Sequence, residues 1–206
     1  MKSFNNTGMS IIELMVVLMA MAILGAIAVP SFKNSMDKTN VEKLQSDFSN
    51  AITTARAEAA SRQTTTTICA SQNGELCTDN AWSSGWIVFV DNGQGGGNAE
   101  DGTRNGSEEL LLTSENQSDF VITLQDDSLA DIQSFSFNEL GFSLNESRAL
   151  ITICEPSIES SQFRGIVIER SGRPSKTKDV DDDGVHESRF DDGFGNVTSN
   201  ALTCPA

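Results

Sequence analysis

The stretch Gly8-Met9-Ser10-Ile11-Ile12-Glu13-Leu14 opens a run that is apolar from residue 9 to residue 29 except for Ser10 and Glu13. Before it stands a short polar leader, Met1-Lys2-Ser3-Phe4-Asn5-Asn6-Thr7, with Lys2 as its one charge. Residues 14–29 are sixteen uncharged residues in succession. As a helix, residues 9–29 reach about 30 Å at ~1.5 Å per residue, the thickness of a bilayer core. An ordinary secretory signal peptide would place its cleavage site after the apolar core, where Ala26-Ile27-Ala28 has the small residues it needs. A plain membrane anchor is the other simple reading. Neither accounts for an acid at the start of the run. A carboxylate in a membrane helix costs roughly 2.5–3.5 kcal/mol on insertion scales, so Glu13 is read as functional.

The helical period continues beyond the apolar run. Phe32, Met36, Val41, Leu44, Phe48, Ile52, Ala55 and Ala59 recur mostly at steps of three or four, with Lys33, Asp37, Lys38, Glu42, Lys43, Asp47, Arg56 and Glu58 on the other side. This predicts an amphipathic half over 31–62 that packs on its own domain. The helix is expected to stop near Arg62, before the β-favouring run from Thr64 to Thr67. Lys33, Lys38 and Lys43 follow the apolar run while only Lys2 precedes it, which runs against the positive-inside rule.

From residue 63 to residue 206 the period shortens to that of strands, separated by Gly, Asn, Asp and Ser clusters. Strands are expected near 65–69, 85–90, 109–112, 120–124, 132–137, 149–154 and 165–169. The Gly- and Asn-rich stretch 91–106 reads as a mobile loop. Trp82 and Trp86 read as core residues, since Trp86 begins an apolar strand. The fold class is therefore α+β: a long N-terminal helix against an antiparallel β-rich head.

The 206 residues carry a net charge of −15, which repels phosphate backbones and anionic lipid at long range. Four cysteines, Cys69, Cys77, Cys154 and Cys204, lie beyond the apolar run, and an even count there suggests disulfides in an oxidising compartment. Three pairings are possible. Cys69–Cys77 with Cys154–Cys204 is favoured, because the second bridge would staple a polar tail with few apolar residues to a core strand.

The segment from Gly8 to Leu14 resembles the type IV prepilin signature. The resemblance implies cleavage between Gly8 and Met9 by a prepilin peptidase, N-methylation of Met9 by the same enzyme, and pairing of Glu13 with the amino-terminal charge of a neighbouring subunit. Two opposite charges offset each other's burial and fix axial register. Pro30 matches the family's helix-kinking proline. Ala55-Arg56-Ala57-Glu58-Ala59, the segment Trp82-Ser83-Ser84-Gly85-Trp86-Ile87-Val88-Phe89-Val90-Asp91, and Glu108-Glu109-Leu110-Leu111 are similar to the FimT/GspH family. That resemblance implies the type IV pilin fold and four segments: a leader at 1–8, a transmembrane and assembly helix at 9–30, an amphipathic half at 31–62 and an exported head at 63–206. It implies a single pass through the bacterial inner membrane with the head in the periplasm, then a place in a pilus or pseudopilus. The implied partners are other pilins or pseudopilins and the inner-membrane assembly platform. Three roles follow: a minor pilin in pilus assembly near the tip, a GspH-type minor pseudopilin of type II secretion, and a DNA-capturing pilin.

Two local motifs stand in the tail. Asp179-Val180-Asp181-Asp182-Asp183-Gly184-Val185-His186-Glu187 matches the start of a calcium loop, in which Asp179, Asp181 and Asp183 converge and Glu187 adds a further oxygen. A full loop of that type carries Glu at the twelfth position, where this chain has Phe190, with Asp191 and Asp192 beside it. The plain alternative is a solvated acidic loop. Gly172-Arg173-Pro174-Ser175-Lys176 matches only the first half of a glycine–arginine–any–arginine tail motif that contributes to DNA capture in some FimT-type pilins. Arg173 and Lys176 are its candidate phosphate contacts, beside Arg164, Arg170 and Lys178, and a simple surface turn is the preferred reading. His186 is the sole histidine, which excludes multi-histidine metal sites. The chain does not read as an enzyme.

Overall fold

The computed structural model describes residues 10–78, 82–105, 107–114, 119–155, 162–191 and 197–204. Within helices and strands, the side chains of residues 27–31, 33, 34, 189–191 and 197–199 are also outside the described set. The expected leader with Gly8 and Met9 lies outside it, as do Asp192 and the side chains of Pro30, Phe190 and Asp191. The chain divides into two compact units, Met1–Thr39 and Asn40–Ala206.

The helix α1, Ile11–Arg62, contributes to both units. Ser10, Ile11, Ile12 and Glu13 have the spacing of a capping box, and the amides of Glu13 and Leu14 both donate to the Ser10 carbonyl at 3.1 Å. Glu13 in the first turn also complements the positive end of the helix dipole. At the other end Gln63 takes the left-handed conformation (φ 53°), and the Thr64 amide donates to the Ala59 carbonyl at 3.2 Å. This is a Schellman-type stop with Gln in the place that Gly usually holds. The helix ends where its sequence periodicity ends.

In the second unit the sequence's β runs form strands within a residue or two of the expected limits. They are β1 Thr66–Ala70, β2 Trp86–Val90, β3 Leu110–Thr113, β4 Val121–Asp126, β5 Ser134–Phe137, β6 Ala149–Cys154 and β7 Arg164–Ile168. Three more follow: β8 Pro174–Lys176, β9 Glu187–Asp191 and β10 Val197–Ala201. One four-stranded sheet has the order β3-β2-β1-β5, a second has β4-β6-β7-β8, and β9 pairs with β10. All pairings are antiparallel.

Both four-stranded sheets turn alternate residues toward one core that includes the second half of α1. Val41, Leu44, Phe48, Ala51, Ile52, Ala55 and Ala59 pack there with Ile68, Trp86, Val88, Phe135 and Phe137 of the first sheet and Ile122, Leu124, Ile151, Ile153, Ile166 and Ile168 of the second. The small residues at 51, 55 and 59 let the helix approach closely, and Trp86 stacks on Phe48 with ring centroids 3.8 Å apart. Gln45 is buried and donates to the Gly165 carbonyl at 2.7 Å, so the helix is tied to β7 by a polar bond as well.

The outward faces of the two sheets are also apolar in part, and each is closed by a disulfide-held segment. On the first sheet, Cys69, Ile87 and Phe89 pack with Cys77 and Leu110. On the second, Leu150, Cys154, Phe163 and Val167 pack with Leu202 and Cys204. The sulfur atoms are bonded at 2.01 Å in Cys69–Cys77 and 2.03 Å in Cys154–Cys204.

Candidate functional site

Three regions bear on function, and each is built differently. The first is the N-terminal part of α1. Every described side chain from residue 10 to residue 26 is exposed, including Ile11 at 80 %, Ile12 at 71 % and Met19 at 69 %. An apolar helix surface exposed all round needs other apolar matter to cover it. Glu13 is the single charge in that run. Among the described residues no helix is long and apolar enough to cross a membrane. The apolar run continues in sequence to Val29, with its described side chains ending at Ala26.

The second region is the acidic tail loop. Asp179, Asp181, Asp183 and Glu187 each offer an oxygen, and these atoms all lie within 4.8 Å of one another. Asp181 and Asp183 are exposed, Asp179 is half-buried and Glu187 is only 6 % exposed. Part of this oxygen set serves the loop itself: Asp179 accepts from the Gly184 amide at 2.9 Å, Asp183 from Val185 at 2.7 Å and Glu187 from Val180 at 2.6 Å. Asp179 Oδ1 is buried and has no hydrogen-bond partner among the described residues. The neighbouring His186 sits against the Thr177 carbonyl at 2.9 Å. Its pKa lies below the usual histidine value, chiefly through burial and then through the charge of Arg164.

The third region is the hairpin that carries Gly172-Arg173-Pro174-Ser175-Lys176. Gly172 is left-handed (φ 74°), and a Cβ there would stand 2.5 Å from the Gly141 carbonyl oxygen. Position 172 therefore requires glycine for the turn itself. Pro174, Ser175 and Lys176 continue as β8 against β7. Arg173 is exposed, and Lys176 donates to Ser46 at 3.2 Å. The expected basic cluster loses one member. Arg164 is 8 % exposed, and its guanidinium lies 3.6 Å from the Glu42 carboxylate and donates to the Phe163 carbonyl. Its side chain is taken up by its own helix and strand.

Two residues of structural consequence stand where the sequence shows a loose loop. Glu108 is 1 % exposed, and its two oxygens accept from the amides of Gly93 and Asn105, both at 2.8 Å. Asp91 is fully buried, and one of its oxygens accepts from Thr67 at 2.8 Å and Gly102 at 3.0 Å. The described residues 91–105 of that stretch are thus anchored on two buried acids. The sequence signal for them is an acid at each boundary of a glycine-rich run, where its carboxylate can reach several free amides.

No curated protein matches the chain. Two crystal forms of the type IV minor pilin FimU from Pseudomonas aeruginosa are similar. One is 16 % identical with a TM-score of 0.47, covering 66 % of this chain and 87 % of FimU. The other is 17 % identical with a TM-score of 0.46, covering 66 % and 92 %. A family model described as type II transport protein GspH matches residues 45–172. That match is more than half of the chain; it takes in α1 from Gln45 onward and strands β1 to β7, and it ends at Gly172, before the acidic loop and Cys204. The chain belongs to the GspH family.

Proposed function

We propose that this protein is a minor pilin, cut between Gly8 and Met9 by prepilin peptidase and methylated on Met9, that takes part in pilus assembly near the tip. One observation carries the reading: a helix surface apolar on all sides, exposed from residue 10 to residue 26, with Glu13 as its single charge. In the inner membrane, lipid covers that surface and the head stands in the periplasm. In the filament, helices of other pilins cover it, and Glu13 pairs with a neighbour's amino terminus. The assembly platform of the inner membrane hands the subunit from the first setting to the second. Pro30 would set the bend between the apolar and amphipathic halves.

A GspH-type pseudopilin of type II secretion is the second reading, favoured by the description of the family itself. Deleting the gene separates the two. Loss of surface pili supports the pilus, and loss of secreted enzymes with pili intact supports secretion. DNA capture through Arg173 and Lys176 has less support, since the chain's net charge is −15 and Arg164 is buried.

For the acidic loop, calcium is the fitting ion: four carboxylates within 4.8 Å supply hard oxygen donors, and Asp179 Oδ1 is buried without a partner among the described residues. Asp179, Asp181, Asp183 and Glu187 would hold it, and the ion would offset their mutual repulsion.

A further inference from the structure

The edges of the two sheets are finished differently. Along β5, the Leu144 amide donates to the Ser136 carbonyl at 2.9 Å and the Asn145 side chain accepts from the Ser136 amide at 3.1 Å, so segment 143–145 covers that edge. Along β4, the Ile132 amide donates to the Leu124 carbonyl at 2.8 Å and the Ser83 hydroxyl accepts from the Ile122 amide at 3.1 Å. β8 is three residues long and opens with Pro174. β3 has β2 on one side and, among the described residues, no strand on the other. The Ser114 amide donates to the Trp86 carbonyl at 2.9 Å, so by alternation the N–H and C=O of Thr113 point to the open edge. Thr113 is exposed, and the strand Leu110–Thr113 carries no proline or charge that would blunt this edge.

The open edge stands beside α1. A cavity of about 380 Å³ is lined by Lys43, Asp47 and Asn50 of the helix and by Trp86, Leu112 and Thr113 of the sheet. The three helix residues are exposed, and Leu112 is half-buried against the core. A strand laid along β3 would exchange two main-chain bonds with Thr113. Its residues on either side of that pair would face the way Leu112 faces, toward the cavity. Unpaired main-chain groups call for an extended backbone, and the cavity between helix and edge selects the side chains that come with it.

We propose that the open edge of β3 receives an extended strand from the head of a different pilin-type subunit, which adds a fifth strand to the first sheet. The side chain that this strand sends into the cavity is apolar and lies on Leu112, with polar neighbours that meet Lys43, Asp47 and Asn50. A second copy of this chain is the poorer occupant, because two chains of net charge −15 repel one another. The contact belongs to the head and is separate from pairing through Glu13, and it rests on the reading of the chain as a subunit among other pilins.

The test places the photo-crosslinker p-benzoylphenylalanine at position 47 of the full chain and reads adducts in the membranes of living cells. The expected adduct joins position 47 to an extended segment in the head of a different pilin or pseudopilin, identified by mass spectrometry. Thr113→Pro removes the outward N–H, a change that an edge strand tolerates. It is expected to lower the adduct yield about fivefold while the melting temperature of the full chain in detergent stays unchanged. If Thr113→Pro melts early, Asn50→Trp, which fills the cavity from the exposed side of the helix, decides instead. No adduct, an adduct with a second copy or with a protein of another kind, or a yield unchanged by the deciding variant would overturn the inference. The adduct is read whether or not surface pili form, so deletion of the gene tests the proposed function and the adduct tests this contact.

Discussion

Cys154, the last residue of the inner strand β6, is bonded to Cys204 three residues past the end of β10, with Leu202 of the tail buried against the sheet. The bridge spans 50 residues of sequence, against 8 for Cys69–Cys77. In the chain-entropy model such loops contribute about 4 and about 2.6 kcal/mol, so the long one matters more. Cys154→Ser with Cys204→Ser is expected to lower stability by more than Cys69→Ser with Cys77→Ser, measured by urea unfolding of the oxidised proteins. The reverse order would mean that the β9–β10 hairpin holds its place without the staple.

Gly172 makes a prediction about the turn rather than the core. Alanine there combines left-handed strain with a Cβ 2.5 Å from the Gly141 carbonyl. Gly172→Ala should cost more than about 1 kcal/mol, and thermal melting reads it directly. Gly96, also left-handed (φ 94°) but with open space around it, is the control and should cost less.

The buried acids give a pH dependence with a definite sign. Asp91 has a pKa raised above 3.8, first through burial, with the nearby Glu108 charge acting in the same direction against bonds from Thr67 and Gly102. Glu100 and Glu139 line a cavity with it. A raised folded pKa means that its stabilising contribution is fully present below about 3.8 and is lost as pH rises through the folded value. Unfolding free energy of the wild type should therefore fall across that window relative to Asp91→Asn. Parallel pH profiles would show that Asp91 is not perturbed.

Calcium at the tail loop is checked by melting. Millimolar calcium should raise the melting temperature of the wild type and leave Asp181→Asn with Asp183→Asn unshifted. Both aspartates are exposed, so the double variant keeps the core intact. No shift in the wild type would leave a solvated acidic loop.

Long periodic segments were legible in the sequence, and isolated long-range contacts were not. The end of α1 at Arg62 and seven strands follow from apolar spacing, because each buries a face that the period displays. The strands β8, β9 and β10 escape that logic. Pro174–Lys176 is short and polar, and β9 with β10 is polar apart from a few side chains, held by its register and by Cys204. Arg164 read as part of a basic face because Arg170, Arg173, Lys176 and Lys178 follow it within fifteen residues. In the fold it points to Glu42 of the helix, 122 positions earlier. Asp91 and Glu108 stand in segments noted for their family resemblance, and their place at the boundaries of a glycine-rich run hints at amide contacts without saying which amides each carboxylate meets.

The most direct test of the account is complementation with Glu13→Ala. Sheared surface filaments are measured in cells lacking this protein, then with the wild type or the variant restored at equal levels. The account predicts that the wild type restores filaments and Glu13→Ala does not, because the helix loses the one charge that sets its register against a neighbour. Full restoration by Glu13→Ala would contradict it.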